Sequence, residues 1–360
     1  MQKINPTSIM NQHENYNNTN SNNELTQEDK KISKFNQLLD SPIIDYDQLK
    51  QLSWSGIPPQ YRNKTWKVLL KYLPTNTQTQ DLILQSKRNN YKDMVKQYFG
   101  EENEEKEEIE EEKDESEKKI YKQINDDAKR TCPDSPLFKE QRIYDILVRV
   151  LYIWNIRHPA CGYVQGINDI ATPFLIVFIN EKCEINLENL DFVDPQKLEN
   201  ISQQEWLEIE ADTYWCLTKI LDGVLDNYTE KSPGIQKSFN KIKEMILRVD
   251  KELLEHLEEE NIDFYTHYFK WIICLLLRQF NTRVSLRLFD TYLADDQGYS
   301  TFSEYLFIAI IMKYSNKLKQ NNFEQIMTFL SDIPTLKWTE QDLEMCKAEA
   351  SYYRYLFEQK

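Results

Sequence analysis

Apolar side chains recur every three or four positions along most of the chain, which is the spacing of one face of an α-helix. A first predicted helix begins at Pro58-Pro59, because proline is tolerated in the first helical turn, and its apolar run ends at Pro74. The same spacing predicts helices over these further ranges: 81–99, 139–157, 167–179, 204–225, 235–258, 262–280, 284–294, 303–319, 322–331 and 339–357. The pattern therefore predicts an all-α fold.

One segment near the middle of the chain is unusually apolar. Gly162 and Gly166 bracket a predicted turn, and the residues that follow, from Ile167 to Ile179, are nearly all hydrophobic. A helix that is apolar on every side is buried, so this segment is predicted to be the central helix of the core. A polar loop is predicted to follow over residues 180–202.

Composition divides the chain into three parts. Residues 1–27 are rich in Asn, Ser and Gln, so burial cannot repay the entropy of ordering and a disordered tail is predicted. Residues 28–49 form a short N-terminal segment, and residues 50–355 form one predicted helical domain. Within that domain, residues 101–119 hold twelve acids against four lysines, which indicates a solvated insertion or a frayed extension of the preceding helix.

Charge and composition argue against several classes of function. The formal net charge is −15, whereas a protein that binds nucleic acid usually presents a basic footprint. The seven glycines form neither a GxxxxGK phosphate loop nor a GxGxxG turn, so no nucleotide site of the chain's own is indicated. The four histidines are dispersed and form no HExxH motif, so a zinc site is not expected.

The cysteines and the apolar runs bear on the cellular compartment. The six cysteines are scattered without a CxxC pair, and no apolar signal segment opens the chain, so we expect reduced thiols in the cytoplasm. The longest apolar runs are far too short to span a bilayer, and no polybasic helix or lipidation motif is present. Any membrane association is therefore expected to run through a partner, without direct insertion.

Two polar segments are less easily explained as ordinary surface. One runs from Ile124 to Arg130, directly after the acidic run, and the other from Gly162 to Asp169, between two strongly apolar helices. Taken alone, Arg130 is typical of a solvated surface cation. Asn168 or Asp169 is typical of a residue that caps the following helix, and such a structural role is compatible with a function as well.

These segments resemble motifs of the TBC domain, the Rab GTPase-activating family. The residues that match RxxxW, IxxDxxR and YxQ are, in that order, Arg62 and Trp66, then Ile124, Asp127 and Arg130, then Tyr163 and Gln165. The flanking stretch IRHPACGYVQGINDIATPF resembles the signature of a Golgi-associated subgroup, and the resemblance covers residues 50–355. The chain departs from the family pattern at Lys129, where proline is common, and at Phe289, which replaces the tryptophan of a late LWD element whose aspartate is Asp290.

The resemblance implies an all-helical, roughly V-shaped domain that stimulates GTP hydrolysis by a Rab-type GTPase in its GTP form, and so regulates vesicle trafficking. It implies that Arg130 and Gln165 are inserted together into the nucleotide site of that GTPase. GTP and Mg²⁺ would be carried by the GTPase, so the chain is expected to need no cofactor or metal of its own.

The resemblance also implies supporting roles. Asp127, one helical turn before Arg130, is expected to accept a hydrogen bond from the guanidinium, and Tyr163 is expected to fix the turn and touch the partner. Arg62 and Trp66 are expected to support the fold and the surroundings of the site. The predicted set of supporting residues is completed by Ile124, Asn168 and Asp169.

Two hypotheses about function follow. In the first, the chain is a catalytic activator of a Rab GTPase, located in the cytoplasm and, through its partners, at the periphery of Golgi or endomembranes. In the second, it is a scaffold that binds Rab GTPases or adaptors without accelerating hydrolysis. The presence of both finger residues favours the first hypothesis, since a scaffold needs neither.

Overall fold

The computed structural model describes residues 26–100, 114–183 and 195–358. The predicted tail except its last two residues, most of the acidic insertion and the centre of the predicted polar loop lie outside these residues. Within them the chain is helical, and the only β-pairing is an isolated bridge between Ile43 and Asn76. The predicted all-α fold is confirmed. None of the helices in the described ranges combines the length and apolarity needed to cross a membrane.

The predicted helices over 81–99 and 139–157 are present to within two residues of their bounds. The first predicted helix instead ends at Leu69, before Pro74, and the predicted polar loop over 180–202 contains the end of one helix and a further short helix. The helices before Pro59 and the helix over 115–130 were not among the predicted ranges. The described residues form these α-helices: α1 (Gln27–Leu39), α2 (Tyr46–Trp54), α3 (Pro59–Leu69), α4 (Gln80–Phe99), α5 (Glu115–Arg130), α6 (Gln141–Arg157), α7 (Ile167–Cys183), α8 (Pro195–Glu199), α9 (Gln203–Asp222), α10 (Pro233–Val249), α11 (Lys251–Glu259), α12 (Phe264–Ile272), α13 (Thr282–Ala294), α14 (Tyr299–Lys313), α15 (Ser315–Lys319), α16 (Phe323–Ser331) and α17 (Glu340–Glu358). A short 3₁₀ turn, Leu277–Gln279, precedes α13.

Helix α7 lies at the centre of the core, as its apolar sequence predicts. It packs against α3, α6, α9 and α13, and its side chains from Ile170 to Ile179 are buried. Phe174 meets the rings of Trp66 and Phe289 edge-on, with ring centroids 5.8 and 5.3 Å away. This central helix therefore ties the N-terminal helices to α13, and its first turn carries part of the polar segment singled out in the sequence.

Two helices predicted as continuous are interrupted in the second half of the chain. The predicted helix over 235–258 breaks at Asp250, whose side chain caps α11 by accepting the Leu253 amide at 3.0 Å and also binds Lys319 at 3.0 Å. The predicted helix over 303–319 breaks at Tyr314. At Asp250 a short carboxylate competes with the backbone for hydrogen bonds, which apolar spacing does not reveal.

The predicted helix over 262–280 is also wrong in its second half. The backbone leaves the helix after Ile272 and turns through Leu275 and Leu276, both with positive φ, 52° and 65°. The carbonyl groups freed by this turn find tertiary partners: the Tyr228 hydroxyl donates to Ile273 O at 2.8 Å, and a second tyrosine hydroxyl, that of Tyr292, donates to Leu275 O at 3.1 Å. Distant side chains thus stabilise a turn in a stretch whose local pattern is helical.

Candidate functional site

Arg130 is the last residue of α5. This helix is well specified at its start, because Asp114 caps it by accepting the amides of Ser116 and Glu117, each at 2.8 Å. Its inner face buries Ile124 and Asp127, which are 0% and 1% exposed. The Arg130 side chain, in contrast, is 62% exposed. The IxxDxxR spacing therefore places an apolar anchor and a carboxylate inside and a guanidinium at the solvent-facing end.

Gln165 lies in the turn between α6 and α7. Gly162 and Gly166 allow this turn, with φ of 71° and 116°, as the sequence predicts. The Asn155 side chain fixes the start of the turn by accepting the amide of Tyr163 at 2.7 Å. Tyr163 is buried, whereas Gln165 is exposed. The turn thus presents one carboxamide to solvent from a backbone held on both sides.

The carboxylate of Asp127 joins these two elements. Its Oδ1 accepts a hydrogen bond from the Arg130 guanidinium, as expected from the sequence, and its Oδ2 accepts the Tyr163 hydroxyl at 2.9 Å. Burial, followed by the negative charge of Asp127, raises the pKa of Tyr163 well above its ordinary value, so the phenol stays a donor. One buried carboxylate therefore holds both the helix end that bears Arg130 and the turn that bears Gln165.

A second link between α5 and α7 runs through neutral groups. The Asn168 side-chain amide donates to Thr131 Oγ1 at 3.0 Å, and that hydroxyl donates to the backbone carbonyl of Asp127 at 2.9 Å. Asn168 and Thr131 are each 2% exposed. Because these bonds are shielded from water, they restrict movement of the helix end relative to the turn.

The prediction that Asn168 or Asp169 caps the following helix holds only in part. Helix α7 begins at Ile167, so both residues lie inside its first turn. Asn168 Oδ1 accepts the amide of Gly166 at 3.1 Å, which satisfies one free donor at the helix start. Asp169 does not cap the helix and instead pairs with Arg278, whose Nε lies 2.6 Å from Asp169 Oδ2.

Arg278 was not predicted to belong to this site. It lies on the 3₁₀ turn after Leu276, in the segment where the predicted helix unwinds. Burial raises the pKa of Asp169 to about 6, against the opposing effect of Arg278. The only sequence signal for Arg278 is a single cation at the end of an apolar run, which does not by itself identify a partner.

Arg62 and Trp66 lie elsewhere, in the core. Both bind Asp290, which is fully buried: the Arg62 guanidinium donates to its Oδ2 at 3.0 Å and the Trp66 indole to its Oδ1 at 2.8 Å. The Ile57 amide also donates to Oδ2, at 3.0 Å. Within the described residues, no hydrogen bond or ion pair connects Arg62 or Trp66 to Arg130. Their shared hydrogen bonds to Asp290 instead hold α3 against α13, which is a structural role.

The outer face of α5 beside Arg130 is rich in cations. A shallow depression of about 510 Å³ follows this face and is lined by these side chains: Lys119, Lys122, Gln123, Asp126, Lys129 and Arg130. The site thus offers the permanent charge of the Arg130 guanidinium, the neutral carboxamide of Gln165, which both donates and accepts, and this row of lysines. Such groups suit contact with an anionic group of a second molecule.

Comparison with known proteins places this geometry in context. The family model of the Rab-GTPase-TBC domain matches residues 59–319. The human TBC1 domain family member 22B and the GTPase-activating protein gyp1 of Schizosaccharomyces pombe are each 38% identical over 328 residues, 91% of this chain. The chain spans 62% and 61% of their lengths, about three fifths. The crystal structure of the Ypt/Rab-GAP domain of Gyp1p superposes with a TM-score of 0.81 at 36% identity, covering 91% of this chain and 99% of that one.

Proposed function

The chain belongs to the Rab-GTPase-TBC domain family, and on that premise we propose that it accelerates GTP hydrolysis by a Rab-type GTPase in its GTP form, with Arg130 and Gln165 supplied in trans. The observation that carries the proposal is the Asp127 carboxylate, which binds both Arg130 and the hydroxyl of Tyr163. Through these two contacts Asp127 holds the helix end that bears Arg130 against the turn that bears Gln165.

Arg130 suits the stabilisation of charge on a transferring phosphoryl group. In that transition state negative charge spreads over the equatorial oxygens, and a planar guanidinium can donate two parallel hydrogen bonds to them. An arginine supplied in trans is typically worth about 10³- to 10⁵-fold in rate, or roughly 4–7 kcal/mol of barrier. A lysine at the same position would offer a point charge without the fork-shaped geometry.

Gln165 suits the orientation of the attacking water. Its carboxamide oxygen can accept a hydrogen bond from the water while its amide nitrogen donates to the phosphate. Because the turn is held by Asn155 and by the Tyr163 hydroxyl, the backbone that carries Gln165 needs little ordering when the GTPase binds. The GTPase would supply GTP and Mg²⁺, and this chain would supply the two side chains.

Single-turnover GTP hydrolysis by a panel of purified Rab GTPases tests the proposal. Wild type is compared with Arg130→Ala, Arg130→Lys and Gln165→Ala, and the matched control is Lys129→Ala, which removes the neighbouring exposed cation on the same helix. We expect acceleration of one or a few Rabs that falls at least about 10³-fold in Arg130→Ala and remains low in Arg130→Lys. Lys129→Ala should alter at most the concentration of this chain that gives half-maximal acceleration of GTP hydrolysis.

Two results would overturn the proposal. One is the finding that a GTP-loaded Rab binds the chain but shows no acceleration of GTP hydrolysis, which would establish a scaffold. The other is acceleration that survives Arg130→Ala, which would place the catalytic charge elsewhere. We also propose that the activity serves vesicle trafficking at Golgi or endomembranes, reached through partners; a fluorescently tagged chain that stays diffuse when the responding Rab is on membranes would contradict this location.

A further inference from the structure

A cavity of about 450 Å³ opens where α2, α3, α4 and α9 meet. Its wall includes three aromatic residues, Tyr46, Tyr72 and Trp215, and three lysines, Lys71, Lys87 and Lys219. The volume falls within the range of about 300–1,000 Å³ that is usual for small-ligand sites. Three cations from three different elements converge on one cavity in a chain whose net charge is −15.

These three lysines form no ion pair with any residue in the described ranges. Two of them lie over aromatic rings instead: Lys87 Nζ is 3.9 Å from the centroid of Trp215, and Lys71 Nζ is 5.5 Å from that of Tyr46. Burial, and then the positive charge of Lys219, lower the pKa of Lys87. Lys87 and Lys219 therefore repel one another, and an anion bound beside them would relieve that repulsion.

A buried carboxylate next to the cavity lining is already neutralised. The hydroxyl of Tyr72, which lines the cavity, donates to Asp212 at 2.7 Å. Asp212 also binds Lys67 at 2.5 Å and Arg88 at 2.7 Å. Since Lys67 and Arg88 already compensate this buried acid, it does not offset the charge of the three lysines that line the cavity.

The backbone of Lys71 supplies an independent observation. Lys71 follows the end of α3 with φ of 55°, a left-handed conformation that glycine usually fills at the end of a helix. A residue with a side chain is strained there, so the lysine side chain is present at a local cost. Its ammonium group is directed over Tyr46 at the cavity wall.

We propose that this cavity binds a phosphate-bearing polyanion, either the headgroup of a phosphorylated lipid or a soluble phosphate ester. Lysine ammonium groups bind phosphate oxygens as point charges without demanding one orientation, and several of them together suit a ligand with several phosphates. The apolar part of the wall can accommodate the carbon ring of such an ester. This site is separate from Arg130 and Gln165, and the proposal does not depend on GTPase activation.

Calorimetric titration with inositol hexakisphosphate tests the soluble source, and co-sedimentation with phosphatidylcholine vesicles containing phosphatidylinositol 4,5-bisphosphate tests the lipid source. Vesicles containing phosphatidylserine at equal charge density control for unspecific attraction. The variants are Lys71→Gly, Lys87→Gln and Lys219→Gln. The matched control is Lys317→Gln, since Lys317 is also exposed and lies over an aromatic ring, 4.3 Å from the Phe329 centroid.

We expect each cavity variant to weaken binding about tenfold and the control to bind as wild type does. Lys71→Gly should weaken binding while the melting temperature stays unchanged or rises, because glycine suits the left-handed backbone at this position. This variant therefore separates loss of binding from loss of folding. Binding of the soluble ester alone identifies a free phosphate ester, and selective vesicle binding identifies a lipid headgroup. The proposal is overturned if neither probe binds, or if the cavity variants bind as well as Lys317→Gln.

Discussion

Asp127→Asn is the substitution that most directly tests how the site is held together. The side chain keeps its volume and one acceptor oxygen, but it loses the negative charge that Arg130 and Tyr163 share. Asp127 is 1% exposed, so water cannot replace the lost interactions on the inner side. The Arg130 side chain, at 62% exposed, is in contrast readily solvated.

The expected loss of stability is modest. An ion pair with a partner as exposed as Arg130 contributes less than about 1 kcal/mol. The hydrogen bond from the buried Tyr163 hydroxyl to a charged acceptor contributes roughly 1.5–3 kcal/mol, part of which asparagine retains. The free energy of unfolding should therefore fall by about 1–2 kcal/mol, measured by urea titration.

The expected loss of activity, which depends on the proposed function, is larger. Ordering a free arginine side chain costs about 2 kcal/mol, which corresponds to roughly 30-fold in rate. If Asp127 holds Arg130 in place before the GTPase binds, Asp127→Asn should lose up to about that factor at saturating concentration, far less than Arg130→Ala. Tyr163→Phe keeps the contact between Asp127 and Arg130 and should therefore lose less activity.

A double-mutant cycle in single-turnover hydrolysis separates these contributions. In the Arg130→Ala background, Asp127→Asn should cause a much smaller loss of rate than in wild type, because the arginine that it orients is absent and only its contact with the Tyr163 hydroxyl remains to be lost. Multiplicative losses of the two substitutions would refute the idea that Asp127 acts through Arg130. Full activity of Asp127→Asn would refute any orienting role.

Three further predictions concern the core and the turn. Asp290→Ala should lower the free energy of unfolding by about 3–5 kcal/mol in urea, because it leaves a buried guanidinium without its counter-charge; an unchanged midpoint would contradict this. Gly166→Ala should destabilise by about 1–3 kcal/mol more than Gly298→Ala: both glycines have positive φ, but only at Gly166 would a Cβ meet a neighbour, at 3.2 Å, and equal losses would argue against this steric cause. The pKa of Asp169 is raised to about 6 in the folded chain, so its stabilising effect is complete below about pH 4 and is lost as the pH rises to about 6. Wild type should therefore lose roughly 3 kcal/mol relative to Asp169→Asn across that interval, and parallel pH profiles would contradict the assignment.

Local sequence was sufficient for the helices whose limits are set by their own residues. Pro59 opens α3 and the His158-Pro159 step follows the end of α6, so spacing and punctuation together predicted the start of α3 and the end of α6. The same holds for α7, whose uniformly apolar residues predicted its central position. In each case the information lies within a few positions of the boundary.

Tertiary contacts decided the segments where the local pattern was misleading. The apolar run after Ile272 has helical spacing, yet its turn is stabilised by hydroxyl groups of Tyr228 and Tyr292, which are distant in sequence. Arg278 reaches Asp169 only because of that turn. Periodicity along one segment carries no information about hydrogen bonds offered by another.

The candidate site shows the same division. The sequence by itself determined an all-α chain and, through the resemblance of its motifs, identified Arg130, Asp127, Tyr163 and Gln165 as the residues to consider. The contact of Asp127 with Arg130 was predicted from their spacing on one helix, whereas its contact with Tyr163, 36 residues away, was decided only by the fold. The physical reason is that a buried carboxylate needs several donors at once, and only packed helices from different parts of the chain can supply them.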